Sequence, residues 1–66
     1  MNITVNGKAR RLEGNPSVGD YLRRLGINPL AVAVERNGQI VKRDQFEATP
    51  IAEGDRLEIV RMMGGG

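Results

Sequence analysis

The chain opens Met1-Asn2-Ile3-Thr4-Val5, apolar and polar by turns, which is the period of a strand with one buried face. Asn6-Gly7 follows, a pair that tolerates the positive φ angles of a two-residue hairpin turn. Lys8 to Glu13 is therefore predicted to return as a second strand with Leu12 inward. The pattern leaves open whether Ala9 or Arg10 shares that face, and Gly14-Asn15-Pro16 ends the segment. From Ser17 the period changes. Val18, Tyr21, Leu22 and Leu25 fall at i, i+3, i+4 and i+7, the apolar stripe of a helix. Ser17 suits the N-cap, Asp20 the positive end of the helix dipole, and Arg23 and Arg24 the last turn. Gly26 is placed for the left-handed residue that closes a helix, with Ile27 making the closing apolar contact.

Leu30 to Arg36 again alternates, with Val32 and Val34 on one face and Ala31, Ala33 and Glu35 on the other. Asn37-Gly38 marks a second hairpin turn, and Gln39-Ile40-Val41 begins the return strand. Lys42 to Glu47 has no clean period and is predicted to form a short helical turn in which Phe46 fills the core. Thr49-Pro50-Ile51 is extended, because a residue before proline avoids the helical region. Glu53-Gly54-Asp55 is a turn into a last strand, Arg56 to Met62. There Leu57 and Ile59 share one face while Glu58, Val60 and Met62 share the other. The order hairpin, helix, hairpin, irregular segment, strand predicts an α+β domain over residues 1–62. One helix packs on one face of a mixed four- to five-stranded sheet, the β-grasp arrangement of ubiquitin.

Composition narrows the chemistry. With 66 residues, the chain stands near the lower size limit for a fold held by an apolar core alone. It has no Cys and no His, so disulfides and thiolate or imidazole zinc sites are excluded as staples. Apolar residues make up 39% with one Phe and one Tyr, so Val, Ile and Leu must build the core. The same absences remove the thiolate nucleophile and the side chain that titrates near neutrality. So short a chain has little room for a catalytic cleft, and it is not expected to be an enzyme. Ten basic and eight acidic residues are interleaved along it. A nucleic-acid footprint would be clustered and accompanied by stacking aromatics, so no nucleic-acid partner is expected. No apolar run approaches the ~20 residues of a membrane span, and no secretory h-region precedes the first strand. A cytoplasmic protein that is monomeric when free is the expectation.

After the last strand come Met63-Gly64-Gly65-Gly66. Three glycines cannot add to a core and have the greatest backbone freedom, so residues 63–66 are expected to form a flexible arm. An inert chain end is the alternative. A carboxylate is a poor electrophile; converting it to an acyl-adenylate supplies a leaving group that a sulfur nucleophile can displace. Glycine fits a narrow channel leading to an ATP held by another protein, and four extended residues reach ~13 Å at ~3.3 Å each. Val60 and Met62 belong to the sheet face that a single helix leaves uncovered, beside Ala31 or Ala33, and are expected to dock a partner. Arg61 is a candidate to steer the arm or to pair with an acidic partner, the alternative being a solvated arginine beside Glu58. The thioethers of Met62 and Met63 suit a surface that adapts to two partners.

Three stretches resemble the sulfur carriers of thiamine biosynthesis. They are Ile3-Thr4-Val5-Asn6-Gly7; Val34-Glu35-Arg36-Asn37-Gly38-Gln39-Ile40-Val41 with Arg43 and Phe46; and Ile51-Ala52-Glu53-Gly54-Asp55-Arg56-Leu57-Glu58-Ile59-Val60 leading into the glycines. The similarity covers nearly the whole chain, and the Glu-Arg-Asn hairpin is its most specific part. The resemblance implies that Gly66 is adenylated and converted to a thiocarboxylate, with Gly64 and Gly65 forming the threading arm. It implies three partners: a ubiquitin-activating-like adenylyltransferase that uses ATP and Mg, a sulfur donor such as a cysteine desulfurase, and thiazole synthase. No cofactor is then bound by this chain itself. A carrier for molybdopterin synthesis and a ubiquitin-like protein modifier are the related alternatives. Some relatives end in two glycines, which leaves the role of Gly66 intact and makes that of Gly64 optional.

Overall fold

Both Asn-Gly pairs turn the chain as their chemistry dictates. Asn6 and Gly7 adopt φ of 50° and 81°, and Asn37 and Gly38 adopt 54° and 84°, the paired left-handed conformation of a tight hairpin. The first turn joins β1 (Asn2–Val5) to β2 (Lys8–Arg11), and the second joins β3 (Val32–Arg36) to β4 (Gln39–Val41). Between the hairpins runs α1 (Val18–Arg24), and β5 (Arg56–Arg61) closes the sheet. These elements are seen in a computed structural model that describes residues 1–62; Met63, Gly64, Gly65 and Gly66 lie outside the described residues.

The strand order is β2-β1-β5-β3-β4. β1 and β5 run parallel and every other neighbour is antiparallel, so the sheet is mixed and β5 is its central strand. Ile3, Val5, Val32, Val34 and Leu57 turn inward from the sheet and meet Val18, Tyr21 and Leu22 of α1. Phe46 enters this core from the short 3₁₀ turn Arg43–Gln45, as the sequence predicts, and Ile51 joins it. Each such side chain removed from water contributes ~1.5–3 kcal/mol, enough to order a domain without covalent staples. This is the β-grasp fold expected from the element order.

The helix has its caps. Ser17 Oγ accepts from the Asp20 amide at 3.0 Å while Asp20 Oδ2 accepts from the Ser17 amide at 3.1 Å, a reciprocal capping box. At the other end Ile27 donates to the Leu22 carbonyl and Gly26, at φ 71°, to that of Arg23, the paired bonds of a left-handed C-terminal closure. Two expectations need correction. Leu25 does not continue the buried stripe; α1 is only seven residues long, and Leu25 at its C-cap is 47% exposed. Leu30 and Ala31 are not in a strand either. Asn28 Oδ1 accepts from the Leu30 amide, and Pro29 stands in the first turn, so the chain makes a 3₁₀ turn over Pro29–Ala31 before β3 begins. In β2 the register pairs Arg10 with the buried Ile3, which puts Arg10, and not Ala9, on the helix side.

Candidate functional site

The site is built on β5, and its two ends are held differently. At the start, Asp55 is buried, 5% exposed, and its carboxylate is the hub of the second hairpin. Arg36 donates to it through Nε at 2.6 Å, Asn37 through Nδ2 at 3.0 Å and the Ala52 amide at 2.8 Å. Burial alone would raise the carboxyl pKa, but the bonds from Arg36, Ala52 and Asn37 outweigh it and hold the group below its ordinary range. Asn37 also accepts from the Arg56 amide through Oδ1 at 2.9 Å. The Glu-Arg-Asn hairpin, read from sequence as turn geometry, thus sets the first residue of β5 in place.

Asn6 does the same work farther along. Backbone pairing of β1 with β5 stops near Leu57, and the Asn6 carboxamide then continues the ladder, accepting from the Ile59 amide at 2.8 Å and donating to the Ile59 carbonyl at 3.1 Å. Each Asn-Gly turn therefore supplies a side chain to one edge of the central strand. Past Ile59 the strand is paired, among the described residues, only with β3, and the last described rung is the Met62 amide on the Ala31 carbonyl at 2.8 Å.

The alternation of β5 divides the sequence-predicted docking residues between two faces. Val60 stands opposite Ala33 on the helix-free face, 57% exposed, and Met62 is 47% exposed. Arg61 pairs with the buried Val32 and lies on the helix side. Met63, the expected threading arm Gly64 and Gly65, and the expected attachment residue Gly66 fall outside the described residues. The helix-free face holds one residue that sequence reasoning missed. Ile40, 77% exposed, stands opposite Glu35, and with Ala33, Met62, Lys42 and Arg43 it lines a depression of about 180 Å³ that reaches the core residues Val34 and Phe46. The signal was present: a two-residue turn at Asn37-Gly38 forces position 40 opposite position 35, hence onto the face of Ala33. Glu35 and Glu58 are directly opposed on the same face, and neither joins an ion pair among the described residues. An apolar patch bordered by Glu35 and Glu58 and also by Lys42 and Arg43 suits a protein surface carrying apolar groups and charges of both signs.

Comparison with known proteins bears on this arrangement. The model of the ThiS family matches residues 3–66. A thiazole synthase from Paramagnetospirillum magneticum is 38% identical over 66 residues; the alignment takes in all of this chain and 20% of the synthase. This chain thus spans about a fifth of the length of that relative, as it does of a thiazole synthase from Magnetococcus marinus. The sulfur carrier protein ThiS of Thermus thermophilus is 31% identical over 64 residues, covering 97% of this chain and 98% of that protein. Among solved structures, the thiamine biosynthesis protein ThiS from Geobacter metallireducens superposes with a TM-score of 0.87 at 39% identity, each chain covered completely.

Proposed function

Because the chain belongs to the ThiS family, we propose that it serves as a sulfur carrier in thiamine biosynthesis, with the Gly66 carboxylate as the attachment point. The observation that supports this most directly is that the family match runs past β5 in the sequence and takes in the terminal glycines. The chain acts as the carried substrate and not as the catalyst. Its carboxylate oxygen attacks the α-phosphorus of ATP on an adenylyltransferase, pyrophosphate leaves, and Gly66 becomes an acyl-adenylate. A persulfide supplied by a cysteine desulfurase attacks the acyl carbon and expels AMP. A thiol then reduces the resulting acyl disulfide, and the thiocarboxylate is released.

Thiazole synthase is the acceptor in this scheme. Proteins of that name contain a segment similar to this whole chain, which supports a shared pathway. The apolar helix-free face at Ala33, Ile40, Val60 and Met62 serves as the docking surface, and the glycines beyond it reach the reacting atoms. Intact-mass measurement tests the scheme. Incubation with the adenylyltransferase of the same organism, Mg-ATP and a persulfide source is expected to add about 16 Da, the exchange of one oxygen for sulfur. Deletion of Gly65 and Gly66 is expected to abolish that gain and keep the cooperative thermal transition. High-mass conjugates in place of the small gain would make the chain a protein modifier, and an unchanged mass would end the proposal.

A further inference from the structure

The helix side of the sheet holds a second surface, separate from the apolar patch. Between α1 and the end of β5 lies a groove of about 250 Å³, open to solvent. Tyr21, Leu25, Ile27 and Ile59 contribute apolar surface to it, and Arg10 and Arg61 bring two guanidiniums. Among the described residues no acidic side chain lines it. Among the described residues neither arginine forms an ion pair, whereas Arg23 is matched by Asp20 and Glu47, and Arg36 by Asp55. Leu25 is the apolar residue that the helical stripe would bury and the short helix leaves 47% exposed. Arg61 is the last residue of β5, so the groove adjoins the point where the chain leaves the sheet.

We propose that this groove binds an acidic, apolar-anchored polypeptide segment of the enzyme that activates the chain end, a leucine- or phenylalanine-type side chain seated by Leu25 and Ile27 with flanking carboxylates on Arg10 and Arg61. The identity of the enzyme rests on the carrier reading; the groove's preference for such a segment does not. Two cations around an apolar floor exclude a basic segment and favour an acidic one, which is electrostatic complementarity in its simplest form. The two surfaces then differ in charge: the groove carries Arg10 and Arg61, whereas the helix-free patch carries both signs, Glu35 and Glu58 near Lys42 and Arg43.

Two measurements test the groove. In the first, the ¹⁵N-labelled protein is titrated with the capped peptide Ac-Glu-Glu-Leu-Phe-Glu-amide and with its Lys-for-Glu counterpart, using sodium acetate as the ionic control. The acidic peptide is expected to shift the amides of Leu25, Ile27, Ile59 and Arg61, and the effect should weaken with added salt and vanish in the double variant R10E/R61E. Equal shifts from both peptides, shifts reproduced by acetate, or shifts confined to Ile40 and Val60 would overturn the proposal. In the second, pyrophosphate release by the cognate adenylyltransferase is followed with wild type, R10E/R61E and the control R11E. The double variant is expected to raise KM about 10-fold at unchanged kcat and unchanged Tm, with R11E at wild-type values. If wild type is activated and R10E/R61E matches it, the groove is not used. If wild type is not activated at all, the carrier reading fails, and the peptide titration still decides the groove.

Discussion

The two ends of β5, with the residues Asp55 and Met62 that flank it, lie in different surroundings. At the start, Asp55 is buried under three donors, Arg56 is pinned by the Asn37 carboxamide, and Leu57 is fully enclosed. At the end, Val60 and Met62 are about half exposed, and only β3 lies alongside. A strand with a rigid root and an open tip can present a chain end to another protein without lending it any of the fold's stability. The upstream half is spent on folding, so the downstream half is available for binding. In such a design the two kinds of mutation should separate: root variants lower stability, and tip variants lower partner engagement.

The largest effect is expected at the root. Asp55→Ala leaves the Arg36 guanidinium and the Ala52 amide without their acceptor and should cost about 3 kcal/mol by urea denaturation, at the low end for a broken buried pair because Arg36 is partly exposed. Acid should narrow that gap. The folded-state pKa of Asp55 lies below its unfolded value, so its contribution is complete above the ordinary carboxyl value of 3.8 and is lost as pH falls through the folded value. The stability difference between wild type and Asp55→Ala should therefore hold at neutral pH and shrink below about pH 4.

The asparagines come next. Asn37→Gly keeps the positive φ yet removes bonds to Asp55 and Arg56, and about 1–2 kcal/mol should go with them. Asn6→Gly, losing two bonds to Ile59 nearer the tip, should cost about 1 kcal/mol. A larger loss from Asn6 than from Asn37 would reverse the proposed gradient along the strand. Smallest in stability is the tip itself. Val60→Lys with Met62→Lys should change unfolding free energy by no more than about 0.5 kcal/mol while lowering the rate of adenylation at limiting enzyme. If that pair unfolded the protein, Val60 and Met62 would have to be counted with the core.

Much of this strand is legible in the sequence. The period-2 pattern from Arg56 to Met62 separates Leu57 and Ile59 from Glu58, Val60 and Met62, and the structure keeps that division. The two Asn-Gly turns announced their hairpins because few residues reach positive φ at low cost. Leu30 and Ala31 were expected in the strand because their alternation with Val32 outweighed the Asn28-Pro29 cap, a local signal that is equally physical. Asp55 was read as a turn residue. Nothing in its neighbours reveals that Arg36, nineteen positions earlier, would bond to it.

What the sequence determined by itself is therefore local and periodic: where the two hairpins turn, where the helix starts and stops, and which residues of the last strand share a face. Tertiary structure alone decided that the last strand sits at the centre of the sheet, that two turn asparagines reach across to its edges, and that Arg61 shares a groove with Arg10 fifty-one positions away. The physical reason is one of range. Backbone preference and side-chain alternation act within a few residues, but a parallel pairing of first and last strands depends on the whole chain closing around one core.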